Sequence, residues 1–595
     1  MTTEDSISIM DDLRRGVQLT EESSTIDLQP LQLLAESYRG RSRDALMPFL
    51  QDTQALYGWL PGEAQKKVAE TLRVPLADIH GVIEFYSMLY NRPTSKEIIR
   101  VCHDPVCHLA GAEAVYEKIS EQLGATSVHF EGSQSKVERV SCLGLCEHAP
   151  AALFGEEAMG DMLSALADNQ LQVDPSPLPS RIYGERLLML DRVGKIDPGS
   201  LADYLRNDGY VALHKALGHK PPELIDLVNQ TGILGRGGAM FPIGRKWLFT
   251  REANSTTQER YILVNGDESE PGAFKDRVIM ESDPFAIIEA ATLGAYAIGA
   301  EKGWIFVRGE YPLAYRRLAN AVNKARDGGY LGEDILGVEG FDFDIEIRRG
   351  AGAYICGEET ALFEAVEGKR GFPRKKPPFP VTHGLFQKPT AVNNVETLAA
   401  LVAAIKIGVD NWRAIGTEQS PGTKLFCMSG HVERPGVYEM PFGITIREMI
   451  EQAGGLPNGA AIKAILVGGA AGVFIGPDKL DMQLTYEHSR QHGVPLGSGA
   501  LMVFDESVDL RQVVYQISRF FSHESCGKCF PCQLGTQRQM EILERGVGRN
   551  KLGTEDLIAL EDIGMAMTQT SLCGLGQTAA SATSSALELW PGLYK

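Results

Sequence analysis

The sequence predicts an α/β protein of several domains, with mainly helical segments at both ends. Three observations favour this class. The chain has 595 residues, which is too long for a single hydrophobic core and suits roughly three to five domains. Apolar stretches of strand length alternate with helical patterns in the middle of the chain. Most of the ten cysteines fall into two sets with metal-cluster spacing, one near each end.

Helical periodicity dominates the N-terminal part. After a polar beginning that predicts a flexible tail, apolar residues recur at three- and four-residue spacing from Leu31 to about Tyr90. Apolar stretches at 98–102 and 137–142 predict two strands, and residues 111–124 predict a helix between them. This alternation indicates a small α/β domain with its cysteines on two neighbouring loops.

The rest of the chain divides by composition. A proline-rich segment at 173–183 predicts a linker to a large glycine-rich α/β section. Strand patterns in that section lie at 261–266, 303–309 and 343–350. A compact β-rich pattern with one helix follows, and the end of the chain is helical. The predicted boundaries are a flexible tail (1–28), an N-terminal helical bundle (29–95), a first cysteine domain (96–171), a linker (172–200), a glycine-rich α/β domain (201–420), a β-rich domain (421–507) and a C-terminal helical domain (508–595).

Composition and charge narrow the function. Hydrophobic residues make up 44% and charged residues 23%, as in ordinary globular proteins. The formal net charge is -19, so we expect no nucleic-acid partner on electrostatic grounds. No apolar run of about 18 to 20 residues is present, so we expect no transmembrane helix and no direct membrane insertion. The polar beginning is unlike a secretory signal, and clustered cysteines favour a reducing, cytoplasmic location.

The first cysteine set consists of two close pairs, Cys102 with Cys107 and Cys142 with Cys146. Two pairs on two loops can converge on one small cluster, and four thiolates suit a [2Fe–2S] cluster. Zinc also binds four cysteines, but its close pairs usually have two intervening residues, whereas here four and three residues intervene. Iron–sulfur ligation is favoured, with zinc or unrelated buried thiols as alternatives. The neighbouring histidines are expected to be bystanders, since four thiolates suffice.

The second cysteine set has three closely spaced cysteines, Cys526, Cys529 and Cys532, and a distant Cys573. A tight run of three can hold three corners of a cubane, with the fourth ligand from elsewhere in the chain. We therefore expect a [4Fe–4S] cluster, against a zinc site or a loop of inert thiols. The two remaining cysteines are isolated from both sets and are expected in the core.

Between the two sets, a loop over 232–247 combines glycines with basic residues. Glycines allow close backbone approach to a ligand, and positive charge suits a phosphate. The residues concerned are Gly235, Gly237, Gly238, Arg236, Arg245 and Lys246. The loop matches neither a G-x-G-x-x-G nor a Walker pattern, so a purely structural glycine-rich loop is the alternative.

Three further segments are rich in polar residues: 265–277, 348–362 and 376–394. Acidic side chains at a dinucleotide site accept hydrogen bonds from ribose hydroxyls and disfavour a 2′-phosphate. Asparagine amides donate and accept, so they can bind the polar edge of a flavin or a nicotinamide amide. Each acidic run alone could be a solvated loop, but several such segments in one domain favour a nucleotide site.

The chain resembles the NADH-binding flavoprotein subunit of respiratory complex I in six segments: GRGGAMFPIGRKW, NGDESEPGAFKDR, GAGAYICGEET, KPPFP, VNNVET and ESCGKCFPC. Residues 29 to about 170 resemble the small [2Fe–2S] subunit of the same enzymes, fused here ahead of the flavoprotein. The resemblance implies an N-terminal helical bundle with a thioredoxin-like [2Fe–2S] domain, a Rossmann-like FMN domain, a ubiquitin-like β-grasp domain and a C-terminal helical bundle with [4Fe–4S].

The resemblance also implies cofactor positions. The FMN positions are Gly235, Arg236, Gly237, Lys246, Asn265, Asp267, Glu268, Tyr354, Gly357, Glu358, Asn393 and Asn394. The NADH positions are Phe241, Phe249, Glu270, Glu359, Lys376 and Phe379. The chain departs from the family pattern at Met240, where glycine is usual, and we expect the larger side chain to narrow the nucleotide pocket.

The activity implied by the resemblance is that of a diaphorase. A hydride passes between NAD(H) and FMN, and single electrons pass through the iron–sulfur clusters to or from a partner. The flavin carries the chemistry, so no catalytic side chain is expected. The [4Fe–4S] cluster is expected to be the exit toward the partner, and the [2Fe–2S] cluster a side store or second branch.

The fusion of the two parts favours the diaphorase subunit of an NAD-reducing hydrogenase or an NAD-dependent formate dehydrogenase. The expected partners are an iron–sulfur electron-transfer subunit and a hydrogenase or formate dehydrogenase catalytic subunit. A peripheral NADH dehydrogenase subunit of complex I is the second interpretation, and an electron-bifurcating or NADP-linked relative the third. A non-catalytic iron–sulfur scaffold would contain no flavin, and the intact glycine-rich and acidic segments argue against it.

Overall fold

The computed structural model describes residues 26–95, 97–123, 135–166, 176–254 and 258–595. Most of the predicted tail lies outside these residues. The N-terminal part is helical, as its periodicity predicts, with helices at Gln29–Tyr38, Leu46–Tyr57, Gly62–Leu72 and Leu76–Phe85. Gly58, at φ +80°, ends the second helix, and Pro61 and Pro75 immediately precede the third and fourth.

A small mixed sheet carries the first cysteine set. Its strands are β1 (Glu97–Cys102), β2 (Ser135–Val140), β3 (Ala152–Phe154) and β4 (Glu157–Met159), in the order β2-β1-β3-β4. The accompanying helices are Pro105–Leu109, Ala112–Leu123 and Met162–Ala165. Because β1 and β2 are parallel, their carboxyl ends lie at one edge of the sheet, and the loops that follow them bring both cysteine pairs together.

The segment predicted as a linker takes part in a sheet. Residues Ile182–Tyr183 form a short strand, β5, which pairs with Gly436–Pro441 of the β-rich domain. The Glu439 carboxylate accepts hydrogen bonds from the backbone N–H groups of Leu188, Met189 and Leu190 at 3.0 to 3.1 Å. This part of the segment is therefore bound to the β-rich domain along its length.

The glycine-rich domain is built on a four-stranded parallel sheet. Its strands are β6 (Tyr261–Gly266), β7 (Lys302–Val307), β8 (Asp344–Arg349) and β9 (Thr390–Asn394), in the order β8-β7-β6-β9. Its helices are Leu201–Arg206, Val211–Leu217, Pro221–Gln230, Ile243–Glu252, Lys275–Ser282, Pro284–Ile298, Pro312–Asp327, Glu359–Val366, Pro380–His383, Val395–Ile407 and Val409–Arg413. The sequence patterns at β6, β7 and β8 predicted these strands, whereas β9 was not recognised.

The β-rich domain extends the β5 pairing into a six-stranded sheet. Its strands are β10 (Thr423–Gly430), β11 (Gly436–Pro441), β12 (Ile462–Val467), β13 (Val473–Ile475) and β14 (Ala500–Asp505), in the order β13-β12-β14-β10-β11-β5. The parallel pair β10 and β14 lies at the centre. The sequence predicted one helix here, but the domain has two, Ile446–Gln452 and Tyr486–His492. The second begins at a Thr485 cap and is short and polar, so it lacks an apolar periodicity.

The C-terminal part is helical, as predicted, with helices at Leu510–Glu524, Phe530–Arg549, Thr554–Thr570, Gly574–Thr578 and Ser581–Leu589. None of the helices in the described residues is long and apolar enough to cross a lipid bilayer. Cys356 and Cys427, outside both cysteine sets, are buried as expected. One contiguous apolar core joins the N-terminal bundle, the glycine-rich domain and the C-terminal helices.

The second cysteine loop of the small domain is fixed against the glycine-rich domain. Arg277 Nε donates to the Gly144 carbonyl at 2.8 Å, and Arg308 donates to the Cys142 carbonyl at 2.7 Å. Gly144 has φ +64°, and a Cβ added there would lie 2.0 Å from the Tyr311 hydroxyl. Glycine is therefore required at position 144 by both conformation and space.

We predict that Gly144→Ala displaces this loop, whereas Gly155→Ala does not. Gly155 has φ +60° but nothing within 4 Å of an added Cβ, so its substitution carries only left-handed backbone strain of about 1–2 kcal/mol. The Gly144 variant carries the same strain and a steric clash. Thermal unfolding and iron content should show a clearly larger loss for Gly144→Ala, and equal losses would contradict the docking argument.

Candidate functional site

Polar side chains gather at the carboxyl ends of β6 and β9, and this region is referred to below as the polar cleft. In the sheet, β7 lies on one side of β6 and β9 lies on the other side. The strand order therefore reverses between β6 and β9, which form a switch point in the sheet. Open parallel sheets bind ligands outside such points. Asn265 and Asn394 are register partners there, and Asn393 precedes Asn394 at the end of β9. The asparagines predicted for FMN thus lie together at the expected edge.

The glycine-rich loop lies against the same edge. A Cβ added at Gly237 would meet the Asn394 Cβ at 3.2 Å, so the loop backbone approaches β9 as closely as a side chain would allow. The Gly235 N–H donates to the Phe241 carbonyl at 2.9 Å, which closes the loop on itself. Gly238 has φ +109°, a conformation that favours glycine. A backbone free of side chains at this edge fits the approach of a flavin phosphate.

Arg236 does not offer its charge to a phosphate in this structure. Its side chain is buried, and its guanidinium donates to Glu396 at 3.1 Å. Lys424 and Lys275 also pair with Glu396, at 2.8 and 3.2 Å. Burial raises the pKa of Glu396, but the charges of Lys424, Lys275 and Arg236 outweigh burial and lower this pKa to about 2. The guanidinium therefore anchors the loop internally.

Lys246 is the basic side chain best placed for a phosphate. Its ammonium donates to the Val392 carbonyl at 2.7 Å, and an ammonium has two further donors. Burial lowers the pKa of Lys246, and the neighbouring Glu359 carboxylate raises it. Arg245, also predicted for a phosphate, is exposed and lies over the Phe249 ring at 5.6 Å.

Three phenylalanines at the predicted NADH positions are exposed. Phe241 and Phe249 are each 39% exposed, and Phe379 is 57% exposed. The centroids of the Phe241 and Phe249 rings are 6.4 Å apart. Exposure of large aromatic side chains is unfavourable unless a partner covers them, and flat nucleotide rings stack well on them. These residues therefore fit a stacking site for a dinucleotide.

The charged side chains at the predicted NADH positions are partly paired. Lys376 forms ion pairs with Glu358 and Glu359 at 2.8 and 2.7 Å. Glu358 also caps the helix Glu359–Val366 by accepting from the Thr360 and Ala361 N–H groups. Glu359 thus has the freer carboxylate of the two and fits a ribose hydroxyl acceptor.

The acidic segment after β6 is mostly buried. Burial raises the pKa of each of Asp267, Glu268 and Glu270 to about 7. Glu268 accepts hydrogen bonds from the Asp276 and Arg277 N–H groups at 3.0 and 2.9 Å. Its carboxylate therefore stabilises the start of the helix Lys275–Ser282, and its predicted contact with the flavin stays a prediction.

Glu270 connects the cleft to the neighbouring loops. It accepts from the Tyr354 hydroxyl at 2.6 Å and from the Ala471 N–H at 2.9 Å. Gly357, three residues after Tyr354, accepts through its carbonyl from the Asn265 amide at 2.9 Å. The segments predicted for FMN at 265–277 and 348–362 are therefore in direct contact.

Met240 has φ +52°, in the left-handed region that favours glycine, which gives a physical reason for glycine in the family pattern. Its side chain packs against the core of the β-rich domain together with Leu234. The expectation that Met240 narrows the nucleotide pocket therefore finds no support in its packing.

The four thiols of the first cysteine set are buried together. Cys102 ends β1, Cys107 lies in the helix Pro105–Leu109, and Cys142 and Cys146 lie on the loop after β2. The Cys142 and Cys146 sulfurs are 3.5 Å apart. Hydrogen bonds from the Cys102 and Cys146 thiols lower the pKa of Cys142. This arrangement fits thiolate ligands that share one small cluster.

Two of the neighbouring histidines have partners of their own. The His103 ring lies 3.3 Å from the Glu113 carboxylate, and the His148 ring lies 3.0 Å from the Pro179 carbonyl. Burial lowers the pKa of His103 to about 4, so the ring is neutral near pH 7. These contacts agree with the expectation that the histidines are bystanders.

The second cysteine set lines one recess, together with Ile355, Pro373, Lys528 and Leu575. Cys529 and Cys573 directly precede helices, whose N-terminal N–H groups favour negative charge. Burial raises the pKa of Cys532 to about 12 and of Cys573 to about 11, so the positive charge of iron is needed to hold the thiolates. The donor set and the recess fit a [4Fe–4S] cluster.

No group of three or more His, Cys, Asp and Glu side chains in the described ranges is arranged to hold a single metal ion.

Glu524 links all three sites and was not found by sequence reasoning. One carboxylate oxygen accepts from the Ser141 hydroxyl at 2.6 Å, beside Cys142, and the other accepts from the Tyr354 N–H at 3.0 Å. Cys526 follows two residues later in the chain. Glu524 is the first residue of the ESCGKCFPC segment, but that segment carries no signal of contacts with Ser141 and Tyr354.

Family models match along most of the chain. They describe a thioredoxin-like [2Fe-2S] ferredoxin over 31–172, a Nuo51 FMN-binding domain over 228–403, an SLBB domain over 425–472 and an NADH-ubiquinone oxidoreductase-F iron-sulfur binding region over 512–595. The NADH-quinone oxidoreductase F subunit of Aquifex aeolicus (strain VF5) is 44% identical over 421 residues, which are 70% of this chain and 96% of that protein. The chain belongs to the family of NADH-quinone oxidoreductase F subunits.

Two relatives also match the fused N-terminal part. The NAD-reducing hydrogenase HoxS subunit alpha of Cupriavidus necator is 33% identical over 578 residues, which are 94% of this chain and 93% of that protein. A crystal structure of an air-oxidised NAD+-reducing [NiFe]-hydrogenase aligns with a TM-score of 0.80 and 30% identity, covering 93% of this chain and 94% of that one. The chain therefore shares the whole fused architecture of these two proteins.

These matches confirm the predicted fold class and the predicted cofactors. The protein is a flavin and iron–sulfur oxidoreductase with FMN, [2Fe–2S] and [4Fe–4S] centres. The individual ligand and contact residues remain predictions, supported by the cleft at β6 and β9 and by the two groups of thiols.

We predict that Lys246→Met lowers FMN content, because the substitution removes the cleft ammonium with free donors while keeping an unbranched side chain. Lys215→Met is the matched control, since Lys215 is exposed and donates only to the Lys406 carbonyl. Flavin released from the purified protein should fall at least severalfold in the Lys246 variant, while iron content stays unchanged. Full flavin occupancy in Lys246→Met would remove this lysine from the phosphate site.

Proposed function

We propose that this protein is the diaphorase subunit of a soluble NAD-reducing hydrogenase, exchanging electrons between NAD(H) and a partner catalytic subunit. The observation that carries this proposal is the match of the fused chain, over 94% of its length, to the alpha subunit of such an enzyme. The match to the NADH-quinone oxidoreductase of Aquifex aeolicus covers only 70% of the chain. A peripheral complex I subunit is therefore the weaker alternative.

The cleft residues supply binding and orientation. Phe241, Phe249 and Phe379 offer aromatic faces for the dinucleotide rings, and Glu359 offers a carboxylate for a ribose hydroxyl. The same acidic group disfavours a 2′-phosphate, which supports NAD(H) over NADP(H). Bound FMN supplies a hydride acceptor that can release electrons one at a time. No side chain needs to transfer a proton to the reacting carbon.

The two cysteine sets differ in exposure, and this difference supports a direction for the electrons. All four thiols of the first set are buried, whereas Cys526, Cys529 and Cys573 of the second set are partly exposed. Electron transfer between proteins needs a short distance from a centre to the surface. The second set is therefore the better exit toward a partner, and the first set suits a side store.

Exposed apolar side chains lie on the helix that follows this exit. Phe530, which follows Cys529, is 73% exposed, and Leu534 lies one helical turn further. Exposed apolar side chains beside each other on a globular protein suit an interaction surface. The position beside the second cysteine set fits the electron-transfer partner.

A basic cleft of about 610 Å³ adjoins the same exit, lined by residues of the N-terminal bundle, the glycine-rich domain and the C-terminal helices. Arg370 and Lys528 lie over the Phe372 ring at 4.8 and 5.2 Å, and Lys375 is exposed nearby. No ion pair of these three cations is found among the described side chains. In a chain of net charge -19, such a site favours an acidic partner surface.

The activity test uses the complex purified from its native source. We expect NAD+ reduction with hydrogen, NADH oxidation with ferricyanide, and FMN together with iron in the preparation. Activity with formate in place of hydrogen would assign the subunit to a formate dehydrogenase. Ferricyanide activity without either donor would favour complex I, and a protein without flavin or NADH oxidation would be a scaffold.

The partner surface is tested by charge reversal. We predict that Arg370→Glu combined with Lys375→Glu lowers hydrogen-dependent NAD+ reduction by at least tenfold and leaves ferricyanide activity unchanged, because neither cation is among the predicted NADH positions or lines the recess of the second cysteine set. Arg538→Glu combined with Arg511→Glu is the control, since these arginines lie outside the cleft lining. Equal effects of the two pairs would mean that the cleft is not the docking site.

A further inference from the structure

Three arginines of the glycine-rich domain and the C-terminal domain donate to backbone carbonyls of the cysteine loops in the small domain. Arg308 and Arg277 reach the Cys142 and Gly144 carbonyls, as described above. On the other loop, Arg519 donates to the His103 carbonyl at 2.9 Å. His103 directly follows Cys102, so both loops of the [2Fe–2S] site are bound by side chains of the flavoprotein part.

The charges of these arginines are not balanced equally. Arg308 pairs with Glu310 at 2.9 Å. Arg277 pairs with Glu147 and, at 2.9 Å, with Glu281. For Arg519, no ion pair with a carboxylate is found among the described residues. Arg519 is therefore the arginine whose positive charge is left uncompensated at the cluster.

Two carboxylates lie near the Cys102 loop, and neither forms an ion pair with Arg519 in the described part of the chain. Asp104 is buried and accepts from the Cys142 N–H at 2.7 Å. Glu113 is paired with Arg139 and lies beside His103. Arg519 therefore contacts this loop directly, through the His103 carbonyl, without a carboxylate partner of its own.

We propose that Arg519 raises the reduction potential of the [2Fe–2S] cluster through its charge. One-electron reduction adds one negative charge to an anionic tetrathiolate cluster and breaks no bond. A neighbouring uncompensated positive charge stabilises the reduced form more than the oxidised form, and net charge is one of the factors that set such potentials. Arg519 is a positioning and tuning residue, since it reaches the cluster site through the His103 carbonyl.

The proposal has a structural corollary. Arg519 lies on the helix Leu510–Glu524, which leads directly to Cys526 of the [4Fe–4S] site. The C-terminal domain would thus set the potential of a cluster bound by another domain. The proposal does not depend on the partner enzyme, so the failure of one would leave the other intact.

The test is an EPR-monitored redox titration of the purified full-length protein with dithionite. We expect Arg519→Gln to lower the ratio of reduced to oxidised [2Fe–2S] cluster at a fixed potential by roughly tenfold, which is about 59 mV for a one-electron couple. Arg519→Lys keeps the charge and should keep the potential. Arg511→Gln, about 12 Å away along the same helix, is the matched control and should change nothing.

A second pair of variants leaves Arg519 in place. Tyr515 lies one turn earlier on the same helix, and Tyr515→Glu would pair with Arg519 at the i, i+4 spacing. We expect Tyr515→Glu to lower the potential and Tyr515→Gln to leave it unchanged.

An unchanged potential in Arg519→Gln with an intact cluster signal would overturn the proposal. An equal shift in Arg519→Lys would also overturn it, because the hydrogen-bond geometry and not the charge would then be responsible. If Arg519→Gln loses the cluster, the Tyr515 pair decides: a shift in the glutamate variant alone supports the proposal, and any other result refutes it.

Discussion

The electron path depends on how one loop of a small domain is held against a flavin-binding sheet. The carbonyls of Cys142 and Gly144 are bound by Arg308 and Arg277, two buried side chains of the glycine-rich domain. Arg308 also donates to the Glu268 carbonyl at 2.7 Å, in the segment predicted to line the flavin. One guanidinium therefore fixes a cysteine loop and this predicted flavin segment relative to each other. Electron transfer rates fall steeply with distance, so a fixed separation of the two segments favours a constant transfer rate.

Holding loops in place with buried charged side chains is a feature of the middle of the molecule as well. A buried charge is costly unless it is paired and fully hydrogen-bonded. Here the Arg236, Lys275 and Lys424 cations surround Glu396 and join the glycine-rich loop to β9 and β10. Replacing Glu396 or one of its cations would leave a buried charge unpaired. The glycine-rich loop would then no longer be held in place beside the switch point.

The sequence predicts the cofactors of this protein better than the side-chain contacts between its domains. Cysteine spacing and the strand patterns at β6, β7 and β8 are local signals, and they led to the clusters and the parallel sheet. The β9 strand was not recognised because its five residues end in two asparagines, which are unfavourable in strands. Arg236 was predicted to bind a phosphate from its place in a glycine-rich basic loop. The sequence gives no sign of its hydrogen bond to Glu396, because that residue lies 160 residues away. The contacts of Glu524 and Arg519 join domains that are distant in the sequence, and no periodicity or motif predicts such contacts.

The apolar core that runs through three domains has a consequence for assembly. In separate chains, a [2Fe–2S] protein and a flavoprotein must find each other at cellular concentrations, and some flavoprotein remains alone. A shared core within one polypeptide makes this encounter intramolecular, at a high effective concentration. The ratio of the flavin-binding domain to the [2Fe–2S] domain is then fixed at synthesis, and dilution cannot separate the two parts.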